Sequence, residues 1–142
     1  MRNGSGASSC IAISPSLRYI YVMWQIQASM ADFEACVVYC TTSSADEAER
    51  IAGAIVGERL AACCNILPGS TSVYRWNGEL HHGVECLLLI KSDRRLFTAL
   101  SQRIRELHSY EVPEIVAVPV TDGSATYLAW MRESLGDPNR ER

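Results

Sequence analysis

The residues of greatest chemical reach in this chain are six cysteines and three histidines, and their spacing narrows what they can do. No Cys-x-x-Cys pair occurs, so neither a zinc knuckle nor a dithiol redox motif is present. Cys36, Cys63, Cys64 and Cys86 lie inside apolar segments, where a thiol behaves as a small hydrophobe. Cys36 and Cys40 fall on one face of an expected strand, too far apart to share one ion, and the adjacent Cys63 and Cys64 point to opposite faces. These patterns predict free, reduced thiols and a cytoplasmic protein. His81 and His82 likewise face opposite ways, which suits solvated surface imidazoles better than a shared ion. His108 closes a helix, where the dipole favours imidazolium, and adjoins Tyr110, Glu111 and Glu114. Both a capping histidine and a metal or small-ligand site remain open for it. No nucleophile elbow, phosphate-cradling loop or dinucleotide fingerprint accompanies these groups, and the expectation is no enzymatic activity.

The elements that must position these residues alternate. Ala35 to Thr41 is a short β-rich run. Ser44-Ala45-Asp46-Glu47 is a capping box in which Glu47 should reach back to the helix start. The helix it opens carries Ala48, Ile51, Ala52, Ile55, Val56 and Leu60 on one face, weakened by Gly53 and Gly57 unless packing needs them small. Two extended arms, 62–76 and 79–91, meet at Asn77-Gly78, whose residues favour the positive φ angles of a type I′ turn. That turn pairs Trp76 with Glu79, Tyr74 with His81 and Val73 with His82, and Pro68-Gly69 must break the first arm. Ser92-Asp93 opens a second helix through Leu96, Phe97, Leu100, Ile104 and Leu107. Ile115 to Val120 is a last, edge strand, and Ser124 caps a short final helix with Tyr127 and Trp130, which admit a place in the core. The order β-α-β-β-α-β plus a C-terminal helix is a ferredoxin-like α+β fold, an antiparallel sheet with two helices on one face.

The composition fits one domain. The chain has 142 residues, 48% of them hydrophobic, and a net charge of −3; its 13 basic residues are scattered and include only one lysine, Lys91. Nucleic acid is therefore not an expected partner. No apolar run approaches the roughly 20 residues that span a bilayer, and no membrane partner is expected for the core domain. Residues 1–30 read as a flexible extension or an upstream start, 31–136 as the domain and 137–142 as a tail. An aromatic such as Trp76 on a projecting hairpin calls for cover from another subunit, so oligomerisation follows from composition and position.

Ala61-Ala62-Cys63-Cys64-Asn65-Ile66, Ser72-Val73-Tyr74-Arg75-Trp76-Asn77-Gly78, Glu85, Lys91, His108-Ser109-Tyr110-Glu111-Val112-Pro113-Glu114 and Tyr127-Leu128-Ala129-Trp130 together resemble the CutA family, the divalent-cation tolerance proteins, over about residues 34 to 135. Two departures stand out. Cys64 replaces the usual aliphatic residue, and Ser109 the usual proline, which should loosen the loop into Tyr110. The resemblance implies a homotrimer similar in plan to the PII signalling proteins, a role in tolerance to divalent metals, copper especially, and no established catalysis. It further implies copper ligands at Cys40 and His108, but Leu107 stands where a second histidine would be, so that set is incomplete. A lateral cleft or interface is expected around Tyr74, Trp76, Glu85, Lys91, Tyr110, Glu111, Glu114, Tyr127 and Trp130. Two further readings are a PII-like sensor holding a small anion on Lys91 and Arg75, and a scaffold that anchors a membrane or partner protein through its N-terminal extension.

Overall fold

The computed structural model describes residues 14–31 and 33–137; the expected tail beyond Asp137, residues 1–13 and Cys10 lie outside the described residues. The chain divides between Phe33 and Glu34 into two units. In the first, a helix α1 (Pro15–Ala31) runs through what composition read as an extension. Its start carries a signal that the Gly- and Ser-rich context hides: Pro15 supplies the first-turn φ, and the Ser14 hydroxyl accepts the Leu17 N–H at 3.4 Å. No described helix is long and apolar enough to cross a membrane.

In the second unit β1 (Ala35–Thr42), α2 (Ala45–Gly57), β2 (Cys63–Trp76), β3 (Glu79–Asp93), α3 (Phe97–Leu107), β4 (Val116–Pro119) and α4 (Ala125–Ser134) follow in order, with a 3-10 turn, Arg94–Leu96, leading into α3. The four strands pair antiparallel in the order β2-β3-β1-β4. This is the expected ferredoxin-like arrangement. Burial alternates along β1, where Cys36, Val38, Cys40 and Thr42 are buried, because successive side chains take opposite faces. The buried face meets Leu88 and Ile90 of β3 and the apolar stripes of α2 (Ala48, Ile51, Ile55) and α3 (Leu100, Ile104) in one core. The opposite face of the sheet carries Tyr39, Leu67, Val116 and Val118, all partly open to solvent.

The hairpin forms as its turn dictates. Asn77 and Gly78 take φ of 49° and 84°, and Trp76, Tyr74 and Val73 face Glu79, His81 and His82. The break at Pro68-Gly69 appears as a shift of register between Leu67 and Ser70. Two local expectations need correcting. Ser124 heads α4 without a side-chain cap bond, its hydroxyl lying 3.0 Å from that of Thr126 instead. Tyr127 and Trp130 are not core residues: their rings meet at a tilt of 42° with centroids 5.4 Å apart, and both stay nearly half exposed.

Gly53 has open space where a Cβ would go, so packing does not require it to be small. Gly53→Ala should therefore raise stability by about 0.5–1 kcal/mol through helix propensity alone, measured as a higher denaturant midpoint at unchanged slope.

Candidate binding cleft

The buried carboxylate of Glu47 organises one end of the sheet. Glu47 is the third residue of α2, and its own N–H donates to the Ser44 hydroxyl at 3.2 Å, as a capping box requires. Its carboxylate, however, does not return to Ser44. It accepts the Ser43 N–H at 3.1 Å and hydroxyl at 2.8 Å, and then the Ser109 N–H at 2.6 Å and hydroxyl at 3.1 Å from the loop after α3. Burial alone raises the pKa of this carboxyl, but the hydrogen bonds from Ser109 and Ser43 outweigh it and hold the group down near 2. A proline at 109 has no N–H to offer. The residue expected to loosen the loop is thus the one that fastens it.

That loop seats His108, whose side chain is fully buried. Its Nε2 lies 2.8 Å from the Thr41 carbonyl and its Nδ1 accepts the Tyr110 N–H at 3.0 Å, with Glu47 Oε1 3.8 Å from the same Nδ1. Cys40 approaches the same Thr41 carbonyl, its Sγ at 3.8 Å. Burial, and next the charge of Glu114, push the Cys40 thiol up to about 12. The structure therefore brings Cys40 and His108 together, but as a protonated thiol and an imidazole with both nitrogens engaged by backbone. Leu107 packs against the core. As arranged, these groups do not fit a resident copper ion, which takes thiolate and a free ring nitrogen. Among the described residues no cluster of three or more His, Cys, Asp or Glu side chains could hold a metal ion.

From His108 the chain turns to Tyr110, whose hydroxyl donates to Glu85 on β3 at 2.8 Å, while the Ser72 hydroxyl of β2 donates to the other oxygen of Glu85. Burial first, and then the hydrogen bond to Glu85, raise the Tyr110 phenol to about 12, so it remains a donor. Around this pair opens a cleft of about 810 Å³, whose walls include Tyr74, Trp76, Glu85, Tyr110, Glu111 and Glu114. Six of the expected cleft residues are thus brought together. Lys91, Tyr127 and Trp130 are not among its walls: Lys91 donates to the Asn65 side chain and to the Leu89 carbonyl, and the Tyr127 hydroxyl lies 3.6 Å from the Cys63 thiol. Arg75 is also turned away, donating to the Gly78 carbonyl at 2.9 Å. Sequence reasoning missed Ser72 and the partnership of Ser43 and Ser109 with Glu47. The only local signals were the capping box and the unusual Ser109.

A split β-α-β sheet with two helices on one face, and a cleft between its hairpin and the loop after the second of them, define a small protein of ferredoxin-like fold. Residues 36–134 match the CutA1 divalent ion tolerance protein family, and the chain belongs to that family. It is 51% identical over 100 residues to the divalent-cation tolerance protein CutA of Thermus thermophilus, covering 70% of this chain and 97% of that one. It is 36% identical over 136 residues to the chloroplastic protein CutA of Arabidopsis thaliana, covering 92% of this chain and 75% of that one. The crystal structure of CutA1 from Oryza sativa superposes with a TM-score of 0.73 at 40% identity, over 75% of this chain and 97% of that one.

Glu47→Gln keeps the shape and removes the charge. It should cost about 2 kcal/mol at neutral pH, because charge-assisted bonds to two loops are lost. A folded-state pKa below the ordinary 4.5 means that the stabilisation is fully present above 4.5 and disappears as pH falls toward 2. Thermal melts between pH 2 and 7 should show a steeper acid loss in the wild type than in the variant; parallel profiles refute the clamp.

Proposed function

We propose that three copies of this chain associate through the open face of the sheet and serve the response to divalent metal ions by binding rather than by catalysis. One observation carries this reading. Tyr39, Leu67, Val116 and Val118 share one sheet face and are 37%, 42%, 52% and 44% exposed in the single chain. Leaving such a face wet forfeits about 25 cal/mol for each Å² that a partner could cover, and a second copy presents the same complementary apolar surface. The number three comes from the family resemblance. The metal-response role is supported by the names of the relatives, and the five free thiols among the described residues suit a reducing, cytoplasmic setting. Copper at Cys40 and His108 requires the thiol to lose its proton and the imidazole to give up a backbone partner, so binding there is weak in this reading.

Sedimentation at micromolar concentration should give three times the 15.7 kDa chain mass, and Tyr39→Glu or Val118→Asp, both at sites exposed in the single chain, should dissociate it. A stable wild-type monomer overturns the assembly. Calorimetric titration with Cu²⁺ should differ little between the wild type and a Cys40→Ser, His108→Ala double variant; tight binding that the double variant abolishes places copper at that pair after all.

A further inference from the structure

The walls of the cleft point to the charge of its ligand. Of the described residues lining it none is lysine, arginine or histidine, while three are glutamates and three are aromatic rings. An anion or a phosphorylated metabolite entering here meets carboxylates with no counter-charge, at a cost that a partly enclosed site does not screen. A bare metal ion fares no better, because the carboxylates stand around the cavity instead of converging as a ligand cluster. What suits separated carboxylates and ring faces is a positive charge spread over carbon-bearing groups, since an ammonium over an aromatic face within about 6 Å is attracted by the ring quadrupole.

The groups are also prepared for such a ligand. Glu85 is fixed from two sides, by the hydroxyls of Ser72 and Tyr110. Glu111 and Glu114 make neither an ion pair nor a hydrogen bond among the described residues. Tyr74 is held from one side by the stacked ring of His81, 5.5 Å away at 15°, and its ring belongs to the cleft wall. The volume, about 810 Å³, lies within the range of small-molecule pockets. We propose that this cleft binds an organic cation of the alkylammonium class, seated on the rings of Tyr74, Trp76 and Tyr110 and neutralised by Glu85, Glu111 and Glu114. The proposal rests on the reading that the protein acts by binding, and it requires no metal.

Choline and its uncharged isostere 3,3-dimethylbutan-1-ol separate charge from shape. Titrated into the full chain and followed by calorimetry and by ¹H–¹⁵N spectra, choline should bind saturably and shift the resonances of Tyr110 and Trp76. The isostere should bind at least about tenfold more weakly. A Glu111→Gln, Glu114→Gln double variant, altered only at exposed positions, should weaken choline about fivefold or more, and Trp76→Leu should weaken choline more than the isostere. Equal affinity for choline and the isostere, choline binding unchanged in the double variant, or inorganic phosphate competing at the same resonances overturns the proposal. Sedimentation and Cu²⁺ titration of the same samples keep the two readings apart. Loss of choline binding with assembly intact removes the ligand assignment alone, and choline binding by a monomer removes the assembly alone.

Discussion

One buried carboxylate holds the functional end of this molecule together. Glu47 sits in the first turn of α2, yet its oxygens bind the exit of β1 through Ser43 and the loop after α3 through Ser109. The exit of β1, the start of α2 and the sequence-distant loop after α3 are thereby fixed to one point. The arrangement is favourable because each oxygen accepts charge-assisted bonds, which are shorter and stronger than neutral ones and offset the cost of burying the charge. Everything downstream follows from where Ser109 is held: His108 turns into the protein against Thr41, Tyr110 turns outward to Glu85, and the cleft has a rigid wall.

The same tethering explains the state of the cysteine and histidine that the sequence brings to notice. Cys40 lies on the core face of β1, and burial keeps its proton on. His108 is spent on the backbone at both nitrogens, which makes it a strut between β1 and the Tyr110 loop. Residue types that suit a soft metal ion serve here as structural members, and the polar groups that remain available are the carboxylates of the cleft.

Features governed by neighbours in sequence were legible before any coordinates. The Asn77-Gly78 turn fixed the register of its hairpin because a two-residue turn leaves no slack, and Pro68 announced its break because it has no N–H to donate. The apolar periods of α2 and α3 named their buried faces. Glu47 was legible only in part. Its role in capping is local, whereas its bonds to Ser109 span 62 positions and leave no periodic trace. Lys91 and Arg75 were drawn toward an anion site by charge alone, while their nearest acceptors, Asn65 and the Gly78 carbonyl, were settled by strand pairing and turn geometry. Helix α1 was hidden for a different reason: glycines and serines upstream of it masked a serine–proline start.

The irregularity at Pro68-Gly69 has an effect on the cleft that outweighs its size. Between Leu67 and Ser70, β2 advances three residues while β3 advances two, from Leu87 to Glu85. Odd-numbered positions share the outward side before that point and even-numbered ones after it, so Ser72, Tyr74 and Trp76 come onto the side of Glu85. Had the turn taken up the extra residue, Val73 and Arg75 would stand there instead. Taken up at the kink, the extra residue leaves the pairing set by the turn intact and keeps an acidic, aromatic lining in place of one bearing a guanidinium.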